Sequence, residues 1–175
     1  GSRADLADKE KSEIVLLQYY LPRPLSAAEV DANLQDAIAA TGVAYVKDMG
    51  LNTIRLEGKL EDEPFFDIAD REGILVMPGW CCCDHWEKWD KWDAEDLPIA
   101  VASLRDQILR LRGHASVFTW MNGSDGPPPA KVEQAYLDVL KATGFPNPVV
   151  SSATEKKAEV SGESGMKMRG PYEWV

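Results

Sequence analysis

The sequence predicts an α/β fold in which about five mostly parallel strands with flanking helices follow an N-terminal helical hairpin. Two observations support this prediction. From about residue 43 onward, short apolar runs rich in β-branched residues alternate with stretches of helical periodicity. Before residue 43, apolar residues recur only at helical spacing. Because strands separated by helices usually form parallel sheets with right-handed crossovers, the second part of the chain should contain such a sheet.

The chain is predicted to consist of a helical hairpin, residues 1–42, and an α/β domain, residues 43–175. Residues 5–20 have an apolar stripe at helical spacing, and two prolines then interrupt the pattern. A second helix should begin at Ser26, where a capping-box pattern occurs, and end at Gly42.

The α/β domain should contain strands and helices in alternation. The predicted strands span residues 51–56, 74–77, 117–121 and 149–152, with a further one at 166–168. The predicted helices span residues 64–72, 98–112 and 131–143, after a helix that ends at residues 44–49. A loop with four tryptophans follows the second strand.

Functional side chains are expected just beyond three of these strands. Glu57 follows the first strand, Trp80 and Asp84 follow the second, and Ser124 and Asp125 follow the third. In (β/α) barrels the active site lies at the carboxyl ends of the strands. The alternative for Asp125 is a structural turn in which its carboxylate caps backbone amides.

The charge balance restricts the classes of partner. With 29 acidic against 19 basic side chains, the chain lacks the basic character of a nucleic-acid-binding protein. An acidic surface would suit a cationic ligand, although it also serves solubility. The apolar runs are too short for a membrane span, and no signal peptide is visible, so the sequence leaves the localisation open.

The three cysteines, Cys81, Cys82 and Cys83, are contiguous. An odd, contiguous trio does not indicate a disulfide framework. Alternation along an extended segment would put Cys81, Cys83 and His85 on one side, where they could hold a metal ion. Zinc sites normally use spaced pairs of ligands, however, so packing is the preferred interpretation and no metal site is predicted.

Four segments carry a resemblance to a known family. Residues 50–58 (GLNTIRLEG), 73–84 (GILVMPGWCCCD), 117–125 (VFTWMNGSD) and 164–172 (SGMKMRGPY) occur in order along the chain. They resemble the catalytic barrel of glycoside hydrolase family 2, most closely its exo-β-D-glucosaminidase branch, which cuts chitosan oligosaccharides from the non-reducing end. The resemblance covers about residues 45–175 and implies part of a (β/α) barrel.

The resemblance implies a role for each residue at the strand ends. Asp125 would be the acid/base of a retaining mechanism, which needs two carboxyl groups about 5 Å apart. The flanking Trp120 and the prolines 127–129 could supply an apolar cleft. Ser124 stands where most family members have Asn, and Glu57 would contact the 2-ammonium group of the sugar. An ion pair between Glu57 and a neighbouring cation, Arg55 or Lys59, is the alternative.

The other implied contacts are weaker, and one catalytic group is missing. Trp80, Asp84 and Tyr172 would line the sugar site, with loop packing as the alternative for the tryptophan. The resemblance implies no cofactor. The family's nucleophile, a Glu on a later strand, has no match in the sequence, and neither has the opening strand of the barrel. We therefore expect little or no activity from this chain alone, and self-association through exposed sheet edges.

A second resemblance concerns the N-terminal part. Residues 13–22, 24–26, 37–42 and 47–50 resemble the start of the GatB/YqeY helical domain, found at the tail of the B subunit of a tRNA-dependent amidotransferase. A generic helical hairpin is the alternative. The sequence thus leaves three functional hypotheses: a partial glucosaminidase-like domain, a non-catalytic fused or truncated module, and an amidotransferase-related accessory module.

Overall fold

The computed structural model describes Ser26, Ala40 and residues 42–166. Apart from Ser26, the described residues belong to one compact unit that spans Asp36–Val175. The predicted hairpin, most of the predicted fifth strand and Tyr172 therefore lie outside the described residues. The two-domain division stays a prediction.

The elements alternate as the sequence predicts, and a mixed α/β fold is confirmed. They are helix α1 (residues 42–48), β1 (Thr53–Leu56), α2 (Glu63–Glu72), β2 (Leu75–Pro78), α3 (Asp96–Leu111), β3 (Trp120–Met121), α4 (Ala130–Ala142) and β4 (Val149–Val150). Two short 3₁₀ turns, His85–Glu87 and Trp89–Lys91, lie in the tryptophan-rich loop. The prediction that Gly42 ends a helix is wrong, because residues 42–48 are themselves helical. In the described part of the chain, none of the helices combines the length and the apolar character that a membrane span requires.

The strands are parallel and follow one another in chain order. β1 pairs with β2, and β3 pairs with β4. Two isolated parallel bridges, Val76↔Val117 and Gly79↔Met121, connect the two pairs. The described residues thus contain four short strands rather than a five-stranded barrel, and Met166 is not in a strand. β1 has no second partner among the described residues, and self-association through that edge stays a prediction.

Helix α2 shows how local sequence sets these boundaries. Pro64 lies in the first turn, where its missing N–H costs nothing. Gly73 ends the helix in the left-handed region (φ 69°), and its N–H donates to the Ala69 carbonyl. The chain then enters β2, and the apolar face of α2 is buried through Phe65, Phe66, Ile68 and Ala69.

The core lies between the strands and their helices. Its largest fully buried side chains include Phe66, Leu104, Ile108, Leu111, Val76, Trp120 and Tyr136. Helices α3 and α4 pack against each other. Each fully buried large apolar side chain contributes roughly 1.5–3 kcal/mol, so these positions fix the framework that carries the strand-end loops.

A histidine-centred network, which we call the His114 network, joins α2 to the segment after α3. His114 contacts Asp70 Oδ2 through Nδ1 (2.8 Å) and Glu63 Oε1 through Nε2 (3.1 Å). The Ser116 N–H donates to Asp70 Oδ1 (2.6 Å), and Arg110 Nη1 donates to Glu63 Oε2 (3.1 Å). Both ring nitrogens contact carboxylates, and Ser116 takes part only through its backbone N–H, so His114 is not positioned to activate the Ser116 hydroxyl.

The charges of the His114 network reinforce one another. Burial by itself would lower the pKa of His114, but hydrogen bonds to Asp70 and Glu63 outweigh it and raise the pKa. Burial would likewise raise the pKa of both carboxyls. Hydrogen bonds from Ser116 and His114 hold the pKa of Asp70 below its ordinary value, and those from His114 and Arg110 lower the pKa of Glu63.

Candidate active site

Glycines allow the loops at the strand ends to approach closely. Gly58 has a φ of 66°, and a Cβ there would lie 2.5 Å from Cys82 Cβ. A Cβ on Gly79 would lie 2.5 Å from the Leu56 carbonyl oxygen, and one on Gly123 would collide with the Gly126 carbonyl. Since larger residues would push these segments apart, the three glycines bring the ends of β1, β2 and β3 together.

The first and third strand ends meet in a three-residue contact. Ser124 Oγ donates to Glu57 Oε1 (3.2 Å) and accepts from Arg55 Nη2 (2.8 Å). Arg55 Nη2 also lies 3.3 Å from Glu57 Oε1. The ion pair that the sequence offered as an alternative for Glu57 is therefore present with Arg55, whereas Lys59 pairs with Glu61. The Glu57 side chain remains 38% exposed, and its Oε2 has no hydrogen-bond partner among the described residues.

Asp125 is half-buried, and its backbone is held on both sides. Its N–H donates to Glu87 Oε1 (3.0 Å), and its carbonyl accepts from Lys156 Nζ (2.6 Å). The preceding carbonyl, that of Ser124, accepts from the Ala153 N–H (3.1 Å). The Asp125 carboxyl group itself has no hydrogen-bond partner in the described part of the chain, so it caps no backbone amide there.

Glu87 is a site residue that the sequence did not single out. Its Oε1 accepts from the Ser124 N–H (3.1 Å) and the Asp125 N–H (3.0 Å), and its Oε2 accepts from the Cys83 N–H (3.0 Å). Several acidic residues lie in the same loop. No spacing rule distinguishes Glu87 from them, because its partners are backbone groups of a distant loop.

The aromatic side chains of this region are packed against the core. Trp80 is half-buried, and its ring centroid lies 6.0 Å from that of Trp120. Trp120 is itself fully buried, so it does not form a cleft wall beside Asp125, contrary to the prediction. Trp86 packs edge-on against Trp92. These contacts agree with the loop-packing alternative.

A cavity of about 640 Å³ adjoins this region. It is lined by residues 58–63, Trp80, Asp84, Trp86 and four residues of α3. Two of the predicted binding residues, Trp80 and Asp84, therefore face one cavity, but neither Glu57 nor Asp125 lines it. Asp84 also caps the first 3₁₀ turn, since its Oδ1 accepts from the Trp86 N–H (2.9 Å).

The cysteines differ from the prediction. Cys82 and Cys83 form a disulfide with each other, and Cys81 is buried with a free thiol. Burial raises the pKa of Cys81 to about 12, so this thiol stays protonated and is not a nucleophile. The alternative grouping of Cys81, Cys83 and His85 is not present, because the Cys83 sulfur is bonded to Cys82 and His85 Nε2 contacts Asp96 Oδ1.

Another group of potential metal donors does exist here, formed by Cys82, Cys83 and Glu87. It does not suit a metal ion. The two sulfurs are bonded to each other, and three backbone amides already occupy the carboxylate.

Comparison with known proteins identifies the origin of this site. The exo-β-D-glucosaminidase of Streptomyces avermitilis is 53% identical over 138 residues, which cover 75% of this chain and 15% of that protein. That of Amycolatopsis orientalis is 47% identical over 147 residues, covering 80% of this chain and 14% of that protein. Most of this chain is of glycoside hydrolase lineage. The resemblance to the exo-β-D-glucosaminidase branch of glycoside hydrolase family 2 is thereby confirmed.

Solved structures agree with this assignment. The crystal structure of the Amycolatopsis orientalis exo-chitosanase CsxA matches with a TM-score of 0.74 at 46% identity, covering 80% of this chain and 17% of that one. A β-D-mannosidase from Dictyoglomus thermophilum shares the fold alone, at 19% identity and a TM-score of 0.52. The hydrolase-like part therefore spans only a small share of the proteins that it matches.

The second resemblance is also confirmed. A family model described as Yqey-like protein matches residues 1–62. This match and the hydrolase match together exceed the length of the chain, so they overlap within residues 1–62. The hydrolase match covers the site. The Yqey-like match ends at residue 62, so it includes only Arg55, Glu57 and the cavity residues 58–62.

Proposed function

We propose that the hydrolase-like part binds β-1,4-linked glucosamine, with Glu57 as the contact for the 2-ammonium group and Asp125 at the acid/base position. The observation that carries the proposal is the 3.2 Å hydrogen bond from Ser124 Oγ to Glu57 Oε1. It joins the carboxylate at the end of β1 to the residue that precedes Asp125. The relatives, which are named exo-β-D-glucosaminidases, support the choice of sugar.

The chemistry of Glu57 suits an ammonium ligand. Arg55 and Ser124 occupy only its Oε1 and restrain the side chain. Its Oε2 can accept a charge-assisted hydrogen bond, which is worth about 1.5–3 kcal/mol. The acidic side chains of Glu57, Glu87 and Asp125 outnumber the two basic ones of this region, Arg55 and Lys156, and an acidic site favours a cationic sugar.

Hydrolysis would need a second carboxyl group beside Asp125. Among the described residues, Glu57 and Glu87 are the carboxylates linked to its loop, and both already bind neighbouring groups. We infer that the chain supplies the acid/base half of a retaining site and has little or no activity alone. Removing one of two cooperating catalytic groups normally costs most of the rate.

The alternative is a non-catalytic module in which the hydrolase motifs have lost their use. The Yqey-like match over residues 1–62 favours it, and an amidotransferase-related accessory role would be its most specific form. In that case the stably folded chain would bind no sugar but would form a complex with an amidotransferase or tRNA.

The test is a titration of the purified chain with a glucosamine dimer and with its neutral N-acetylated counterpart, followed by NMR. We expect binding of the glucosamine dimer only, and a loss of affinity of about tenfold or more in Glu57→Gln. Glu72→Gln is the matched control, because Glu72 lies at the far end of α2 and pairs with Lys47.

Hydrolysis of glucosamine oligosaccharides is measured in parallel, with Asp125→Asn beside the parent chain. We expect no turnover from either. Turnover by the parent that is lost in Asp125→Asn would mean that a second carboxylate operates after all. Equal binding of both dimers, or unchanged affinity in Glu57→Gln, would exclude the proposed amine contact.

A further inference from the structure

Glu87 connects the loops that follow the first three strands. Its Oε2 accepts from the Cys83 N–H, and Cys82 packs closely against Gly58, the residue after Glu57. Its Oε1 accepts from both the Ser124 and the Asp125 N–H groups. One carboxylate thus joins the loop after β2, which packs on the end of β1, to the loop that carries Asp125.

We infer that Glu87 is a positioning residue, which fixes the orientation of the Asp125 carboxyl group by holding the Ser124–Asp125 peptide. This inference rests on the proposed function, because it assigns Glu87 a task for the acid/base position. Glu87 would not touch the sugar, and its effect would pass through the backbone of Ser124 and Asp125.

The hydrogen bonds explain why Glu87 has this effect. β3 ends at Met121, and the Asn122 N–H still donates to the Val150 carbonyl of β4, but the Ser124 and Asp125 N–H groups lie beyond these sheet hydrogen bonds and donate to Glu87 instead. Successive backbone amides that converge on one oxygen form a concave anion site, which here is filled by the chain's own carboxylate. Hydrogen bonds to an ionised acceptor are roughly twice as strong as neutral ones.

The carbonyl side of the same peptide segment is also restrained. The Ser124 carbonyl accepts from the Ala153 N–H, and the Asp125 carbonyl accepts from Lys156 Nζ. Between Glu87 on one side and these two donors on the other, the main chain at Asp125 is held in one conformation. The position of the carboxyl carbon then depends on the torsion angle χ1, and χ2 sets the orientation of its two oxygens.

The experiment compares Glu87→Ala and Glu87→Gln with the parent chain by NMR, without sugar. Three-bond couplings to the Asp125 carboxyl carbon, Cγ, and between Hα and the two Hβ protons report its χ1. Amide exchange reports the Ser124 and Asp125 hydrogen bonds. We expect one dominant χ1 rotamer and slow exchange in the parent. In Glu87→Ala the rotamers should average, and exchange of these two amides should speed up by about tenfold or more.

Two controls keep the result specific. Asp90→Ala removes an exposed carboxylate from the same loop and should leave both readouts unchanged. Glu87→Gln keeps the shape and one oxygen acceptor, so it should retain the rotamer preference in part even where Glu87→Ala fails to fold. Unchanged couplings and exchange in both Glu87 variants would overturn the inference.

A glucosamine-dimer titration of the same variants separates this inference from the proposed function. If the parent chain binds no sugar but the χ1 rotamers of Asp125 average in the Glu87 variants, the proposed function fails and the positioning role stands. If the parent chain binds sugar and Asp125 keeps one dominant χ1 rotamer in the Glu87 variants, the positioning role fails and the proposed function stands.

Discussion

The strand-end cluster, as we call Arg55, Glu57, Glu87, Ser124 and Asp125, contains carboxylates and a cation, as the His114 network does. The two differ in one respect. In the His114 network, all four oxygens of Glu63 and Asp70 have partners, and both nitrogens of His114 are occupied. In the strand-end cluster, Glu57 Oε2 and the Asp125 carboxyl group have no hydrogen-bond partner among the described residues. A saturated network stabilises the fold, whereas an unsaturated one retains groups that can bind a ligand.

Removing the imidazole from the His114 network should have the largest effect on stability. His114→Ala leaves two carboxylates without their shared partner, and the His114 side chain is only 9% exposed. We expect the free energy of unfolding to fall by about 2–3 kcal/mol, less than for a fully buried pair because Glu63 is half-exposed. Urea denaturation measures it.

The matched control for this change is His85→Ala. His85 is the other histidine of the chain, is half-exposed and pairs with Asp96 alone. Its removal should cost well under 1 kcal/mol. Equal losses of unfolding free energy in His114→Ala and His85→Ala would mean that the complete set of hydrogen-bond partners in the His114 network adds no stability.

The strand-end cluster should be more sensitive to backbone crowding than to the loss of a charge. Gly58→Ala combines a positive φ with a contact of 2.5 Å to Cys82 Cβ, so we expect a loss of about 2 kcal/mol. Gly73→Ala has nearly the same φ but nothing within 4 Å of the added Cβ, and should cost about 1 kcal/mol. Thermal and urea unfolding of both variants test the difference, and equal losses would show that the approach of Cys82 to Gly58 is not a tight one.

The smallest expected effect is the pH dependence of the His114 network. Because the pKa of His114 is raised above its ordinary value of about 6.5, its contribution is complete below that pH and is lost as the pH rises through the raised pKa. The pKa values of Asp70 and Glu63 are lowered, so their contributions are present above about pH 4.5 and lost as the pH falls through the lowered values.

The His114 network should therefore stabilise the chain most between about pH 4.5 and 6.5. Urea midpoints measured from pH 4 to 9 should decline above pH 6.5 in the parent, and this decline should flatten in His114→Ala. A parent whose stability rises steadily through this range would contradict the assigned directions.

Local sequence rules recovered most of the described elements. The predicted helix at residues 131–143 lies at Ala130–Ala142, and the predicted strand at 74–77 lies at Leu75–Pro78. The ion pair of Glu57 with the neighbouring Arg55, which the sequence analysis gave as an alternative, is also present. These features depend on neighbours within a few residues, which is why periodicity, proline and glycine signals reveal them.

The sequence by itself determined the α/β alternation, the polar residues at the strand ends and the two family resemblances. Only the tertiary structure decided which of those residues meet. Glu87 binds backbone amides 37 and 38 positions away, and the three strand-end glycines matter because other loops press against them. Backbone groups are the same at every position, so a contact to them leaves no mark on the partner's sequence, and only the folded chain reveals it.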